Sequence, residues 1–164
     1  VGGHTLTLSR VRDLLHYDPE TGEVFSRSLG RRVGYDIEGG RYRRVRVPGS
    51  RTAYYEHRLI WFWMTGTWPE EVDHINGDRC DNRWSNLREA SRGQNACNRS
   101  KQRNNSTGYK NVIRVNNCPN KPYRAYIRLC GRSIHLGYFS TPEEANEAYW
   151  AAAQKHFGEF ARKE

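Results

Sequence analysis

Val72-Asp73-His74-Ile75-Asn76-Gly77-Asp78, with Asp81-Asn82, Trp84-Ser85-Asn86-Leu87-Arg88 and Gln94-Asn95 behind it, is the stretch on which the fold reading turns. Asn76-Gly77 is a strong short hairpin signal, so Asp73 and His74 are expected at the end of a strand entering a tight turn. A helix is expected to begin near Ser85 or Asn86. One hairpin and one helix then gather a carboxylate, an imidazole and two carboxamides.

Those groups suit one chemistry. Hydrolysing a phosphodiester at neutral pH needs a base to activate water, a cation for the developing negative charge, and fixed geometry. His74 suits the base. Asp73 offers a charged oxygen ligand and Asn95 a neutral one, a pair that favours Mg²⁺ or Mn²⁺ over softer metals, with water and the scissile phosphate completing the shell. On one straight helix Asn86 and Asn95 are separated by about 900° and point to opposite sides. Asn86 is therefore assigned to bracing the preceding loop through its amide, and so to orienting His74. Neighbours in a regular strand also face opposite ways, so Asp73 and His74 share a site only if the strand end twists or the phosphate lies between them.

The arrangement resembles the HNH nuclease family, on Asp73-His74, Asn86 and Asn95. The resemblance implies a ββα-metal fold, with the catalytic His on the hairpin and a metal ligand on the helix. Where that pattern usually ends in His, this chain has Asn95, as in the HNN variant of phage and intron-encoded homing endonucleases. The runs His57-Arg58-Leu59-Ile60-Trp61 and Gly66-Thr67-Trp68-Pro69-Glu70 also resemble that subgroup, so the likeness covers residues 17–98.

Several of these residues have a plainer reading. Asn86 with Glu89 reads equally well as a helix N-cap and capping box, alone or combined with loop bracing. His57, ahead of an apolar run over 59–64, reads as a hydrogen-bonded structural residue at the start of a buried helix. A calcium loop over Asp73, Asn76, Asp78 and Asp81 is excluded by Gly77 and by the lack of a closing bidentate Glu. Turn chemistry accounts for Asp78, Asp81 and Asn82.

Composition bounds the rest. The chain has 164 residues and 36% hydrophobic content, low for one large core, so two modest cores are expected. A formal net charge of +9 and a pI near 9.7 imply a polyanionic partner, and without acidic blocks that means nucleic acid. No apolar run reaches the roughly 20 residues a membrane span requires, and no signal peptide is expected. The cytoplasm of a bacterial or phage-infected cell is the expected location. Cys80, Cys97, Cys118 and Cys130 contain no C-x-x-C pair and read as free thiols, although Cys80 and Cys97 could approach each other. Val1-Gly2-Gly3-His4 lacks an initiator Met and is set aside from the fold.

Ahead of the hairpin, residues 6–16 place Leu8, Val11, Leu14 and Leu15 at helical spacing. Residues 23–27 and 42–48 read as strands flanking the glycine-rich stretch 30–40. In the second strand Arg44 and Arg46 share one face, opposite Val45 and Val47, as a charged edge or a phosphate contact. A further strand over 52–56 feeds the helix at 57–66. Behind the hairpin, residues 99–108 form a polar, basic linker whose cations can lie along a phosphate backbone.

From Tyr109 the pattern becomes three short strands, 109–115, 123–129 and 132–139, and one helix. Ala125, Ile127 and Leu129 alternate with Arg124, Tyr126 and Arg128, so one face is core and the other basic with an aromatic. Thr141-Pro142-Glu143-Glu144 is a strong helix start; Ala145, Ala148, Tyr149, Ala152, Ala153 and His156 form one stripe, and Gly158 ends it. A narrow sheet backed by one helix fits the major groove. Gly108-Tyr109-Lys110, Tyr123 through Arg128, Ile134 through Phe139 and Thr141 through Ala153 closely resemble the Apetala or ethylene-response-factor DNA-binding domain. That resemblance implies DNA-facing positions for Lys110, Arg124, Tyr126, Arg128 and His135. Several arginines and tryptophans of the plant pattern are missing, with Ile113 and Val115 in the first strand.

The expected architecture is α+β. A small N-terminal α/β region leads into a ββα-metal nuclease core, with the nuclease domain at 5–98 and its core at about 57–98. The basic linker follows at 99–108, then a three-stranded antiparallel sheet packed on one helix at 109–160. The expected activity is one-metal DNA hydrolysis, with His74 as general base and Asn86 beside it. Asp73 and Asn95 hold Mg²⁺ or Mn²⁺, and Arg88 is a phosphate-binding candidate from its helical register with Asn95. Double-stranded DNA is the expected partner, with no small-molecule cofactor beyond the metal. The protein acts as a monomer or weak dimer that nicks one strand at a time. The alternative is a noncatalytic, sequence-specific DNA-binding regulator using the same C-terminal domain; an RNA-binding protein is disfavoured because no RNA-recognition aromatic pair is present.

Overall fold

The computed structural model describes residues 6–37, 39–99, 101 and 104–162. Val1-Gly2-Gly3-His4 and, within the basic linker, Ser100, Gln102 and Arg103 lie outside the described residues. The fold is mixed α+β, and the chain forms two compact units, Val1–Ala90 and Ser91–Glu164.

The first unit starts with α1 (Leu8–Leu14), whose first turn is capped by Thr7 Oγ1 accepting from the Arg10 amide at 3.3 Å. The helix is shorter than its apolar spacing predicts. Leu15 and Tyr17 alternate inward as residues of β1 (Leu15–Asp18), which pairs antiparallel with β2 (Glu23–Ser26). Next come β3 (Tyr35–Ile37), β4 (Tyr42–Arg46) and β5 (Ala53–Tyr55), a three-stranded antiparallel sheet in chain order. β3 arises within the glycine-rich stretch read as a separator. In β4, Val45 points into the core while the Arg44 guanidinium lies over the Tyr55 ring, 4.5 Å from its centroid. α2 (Glu56–Thr65) stops at Gly66, whose φ of 79° suits glycine and lets its amide bond Phe62 O.

β6 (Glu71–His74) and β7 (Leu87–Ala90) form an antiparallel pair with Asp73 opposite Arg88 and His74 opposite Leu87. The hairpin is not closed at Asn76-Gly77. The Gly77 amide bonds His74 O at 2.8 Å, but the chain then continues through the long loop 75–86, which ends in a 3-10 turn, Trp84–Asn86. The helix expected near Ser85 is therefore absent. Leu87 and Ala90 bury in the strand, and cross-strand pairing overrides the helix-favouring Leu-Arg-Glu-Ala sequence. The first helix after the hairpin is instead capped by Ser91 and Gln94 rather than by Asn86 and Glu89.

The loop 75–86 is held from behind by the β1–β2 turn. Trp84 N donates to Pro19 O at 3.0 Å, and Tyr17 Oη donates to Asn82 O at 2.8 Å. Gly22, at φ 76°, comes so close that a Cβ there would stand 2.5 Å from Arg83 N. Glycine is required at that position. The core beneath contains Val11, Leu15, Tyr17, Val45, Leu59 and Val72.

The second unit contains α3 (Arg92–Asn98), then β8 (Val112–Arg114), β9 (Tyr123–Leu129) and β10 (Arg132–Phe139), antiparallel in the order β10-β9-β8. α4 (Pro142–Phe157) begins as the sequence predicts. Thr141 Oγ1 accepts from the Glu144 amide at 3.2 Å, the Glu144 carboxylate accepts from the Ser140 amide at 3.1 Å, and Pro142 opens the first turn. Ala145, Tyr149 and Ala153 of α4 meet Val112, Ala125 and Ile127 of the sheet in a separate core.

Candidate active site

Asp73 and His74 end β6 and are both buried, at 4% and 5% exposure, but successive strand residues face opposite ways. On one side, Asp73 Oδ2 accepts from Arg88 Nε at 2.9 Å and pairs with its Nη2 at 2.8 Å. This pair, with both guanidinium nitrogens on one carboxylate oxygen, is set by the strand register, which places the two residues opposite each other. Arg88 therefore stands on a strand, and the helical register that linked it to Asn95 does not exist. The same correction removes the helical phase between Asn86 and Asn95.

On the other side, the His74 ring enters a polar and aromatic pocket. Its Nε2 lies 3.0 Å from Asn82 Oδ1, and its ring stands edge-on to His57 with centroids 5.1 Å apart. His57 itself packs against Tyr42 and Tyr55, at 5.5 and 5.7 Å. Burial pushes both imidazoles below their ordinary pKa, His57 to about 3, and the proximity of the two rings adds to the effect on His57. For His74 the Asn82 bond and the Asp73 charge work against that shift. His74 is thus a neutral imidazole near pH 7, with a lone pair on one nitrogen.

Asn86 spans the loop. Its Oδ1 accepts from the Asn76 amide at 3.0 Å, its Nδ2 donates to Asp81 O at 2.7 Å, and its backbone oxygen accepts from the Ile75 amide. Asp78 accepts from the Cys80 amide at 2.9 Å, as a turn residue does. Asp81 receives Arg83 and Asn76, and the Arg83 hydrogen bond holds its carboxyl down at about 2. Asn82 differs from these turn residues. It is 2% exposed and links His74 to Glu56, with Nδ2 donating to Glu56 Oε2 at 3.0 Å. Glu56 and Asn82 are the site residues that sequence reasoning missed; the one available signal was a carboxylate heading an apolar helix run beside a histidine.

Asn95 lies on α3 of the second unit and is half-buried. Among the described residues no group of three or more His, Cys, Asp or Glu stands together as a metal cage. Lys110, placed at a DNA-facing position by resemblance, instead directs its ammonium to Cys97 O and Arg99 O at the end of α3. Arg124, Tyr126, Arg128 and His135 share the outer face of the sheet. Arg124 Nε donates to His135 Nδ1 at 3.3 Å, His135 stands opposite Tyr126, and the Tyr138 ring lies 4.7 Å from His135. Arg128 is exposed.

Residues 54–97 match the model of the family described as HNH endonuclease. An uncharacterised HNH endonuclease of Acanthamoeba polyphaga mimivirus is 32% identical over 108 residues, which cover 64% of this chain and 54% of that protein. The solved structure of the HNH homing endonuclease I-HmuI, described for its DNA binding and cleavage, matches at 26% identity and a TM-score of 0.42. That match covers 50% of this chain and 49% of the other, so the chain spans about half the length of each relative. The likeness to HNH endonucleases thus takes in the strand that carries Asp73 and His74.

Proposed function

We propose that the protein is a divalent-metal-dependent DNA endonuclease, encoded by a phage or mobile element, with a nuclease module at 5–98, a basic connector, and a DNA-binding module at 109–160. The observation that carries this reading is His74, held neutral and oriented at the end of β6 beside a buried carboxylate, inside the stretch that matches the HNH endonuclease family.

A scissile phosphate at the end of β6 would have His74 on one side of the strand and Asp73 on the other. His74 takes the proton of the attacking water on its bare nitrogen. The sequence resemblance assigns the metal to Asp73 and Asn95; one carboxylate and one carboxamide, both hard oxygen donors, suit Mg²⁺ or Mn²⁺, which keep water and phosphate oxygens in their shell. When bound, the ion supplies positive charge to the phosphate as negative charge develops. Arg88 acts on Asp73, fixing its carboxylate by two charge-assisted bonds. Asn86 keeps the loop after His74 closed.

Duplex DNA is the substrate, and the outer face of the C-terminal sheet, with Arg124, Tyr126, Arg128 and His135, is the targeting surface. This face resembles the ethylene-response-factor domain, and a three-stranded sheet on one helix fits the major groove. One base and one metal per chain imply nicking by a monomer. The test is conversion of supercoiled plasmid to nicked circle with Mg²⁺, Mn²⁺ or EDTA. Cutting with either ion and none with EDTA supports the reading; binding without cutting in every condition supports a noncatalytic DNA-binding regulator instead.

A further inference from the structure

Behind His74 runs a buried polar chain drawn wholly from the first unit. Asn82 Oδ1 faces His74 Nε2 at 3.0 Å, Asn82 Nδ2 donates to Glu56 Oε2 at 3.0 Å, and Arg43 Nε lies 3.0 Å from that same oxygen as an ion pair, off the line of a hydrogen bond. Glu56 is fully buried at 0% exposure, and its Oε1 has no hydrogen-bond partner among the described residues. Asn82 is fixed a second time through its backbone oxygen, which accepts from Tyr17 Oη.

The donors and acceptors in this chain have one consistent assignment. Glu56 Oε2 faces the Arg43 charge, so a proton on the carboxyl would sit on Oε1, and Oε2 accepts in either state. The Asn82 amide must then turn its NH₂ to Glu56 and its oxygen to His74. An amide oxygen only accepts, so His74 Nε2 carries the hydrogen and the lone pair of the neutral ring is on Nδ1.

We propose that Glu56 and Asn82 are positioning residues for the general base: Glu56 orients Asn82, and Asn82 locks His74 in the Nε2–H tautomer, leaving Nδ1 as the nitrogen that receives the proton from water. This rests on the reading of His74 as the base. The edge contact with His57 restricts the ring further.

The test pairs imidazole ¹⁵N NMR of the metal-free, DNA-free protein with plasmid nicking at saturating DNA. Wild type should show a protonated-type Nε2 and a bare-type Nδ1 for His74. Asn82→Leu, similar in size but unable to accept, should mix the tautomers and lower kcat by roughly 10- to 100-fold with KM for DNA unchanged. Glu56→Leu, which removes the acceptor of the Asn82 amide, should mix the tautomers in the same way, and Glu56→Gln, which still offers an oxygen to Asn82, should restore the Nε2–H form; an unmixed Glu56→Leu spectrum overturns the role of Glu56. A cutting wild type with Nδ1–H, or Asn82→Leu cutting at the wild-type rate, overturns the proposal alone. A wild type with Nε2–H that never cuts DNA overturns the underlying nuclease reading, and the proposal with it. If Asn82→Leu does not fold, the wild-type spectrum still decides.

Discussion

At the scale of single residues, the site is a set of buried polar side chains whose partners fix their charge state. His57 is the clearest case. Packed among Tyr42, Tyr55 and His74, it stays neutral in the folded protein down to about pH 3, whereas the unfolded chain takes up that proton below its ordinary value of 6.5. The stability contributed by neutral His57 is therefore complete above pH 6.5 and is lost as pH falls from there towards 3, at up to about 1.4 kcal/mol per pH unit. Urea denaturation between pH 7 and 4 should show this loss, and His57→Phe should flatten it; an equally steep loss in that variant would contradict the assignment. Asp73 and His74 were legible as a pair because residue type and adjacency are local information. Asn82 was not, because an asparagine in an Asp- and Asn-rich loop has the signature of turn chemistry, and only closure of the loop onto α2 reveals its role. Glu56 was hidden similarly: an acid in the first turn of a helix ordinarily interacts with the helix dipole at the surface, but this one is enclosed.

At the scale of elements, what decides the site is the loop 75–86 between β6 and β7. The end of α2 falls where the sequence reading put it, at Gly66, because its backbone is left-handed there. In the second unit Thr141-Pro142 starts α4 for equally local reasons. The segment 84–90 misled because its composition suits a helix while its environment is a strand partner for β6. That error moved Arg88 from a strand, where it clasps Asp73, onto a helix face it does not occupy. The β1–β2 turn is the loop's support, and Gly22 is its tightest point, with no space for a methyl group against Asn82 and Arg83. Gly22→Ala should therefore push the loop away from Tyr17, destabilise the protein by about 1–3 kcal/mol and lower DNA cutting. Chemical denaturation alongside the nicking assay checks both; a variant with wild-type stability and activity would show that the turn does not support the site.

At the scale of the whole molecule, the two units each carry their own core, one around Val45, Leu59 and Tyr17 and the other around Ala125, Ile127 and Tyr149. A net charge of +9 favours association with polyanions. If the sheet of the second unit lies on DNA, Arg128→Ala should weaken duplex binding and reduce the slope of log affinity against log salt by about one. Fluorescence anisotropy over a range of salt concentrations measures this, and an unchanged slope would move Arg128 off the interface. The central claim, that His74 is the base of a DNA-cutting site, is tested most directly by the single-turnover cutting rate of His74→Ala beside wild type, both at full occupancy of the same duplex with Mg²⁺ or Mn²⁺. The account predicts that DNA affinity is kept while the rate falls at least 100-fold, in line with the roughly 10²- to 10⁴-fold contribution of a general base. A His74→Ala protein that binds and cuts at the wild-type rate would contradict it.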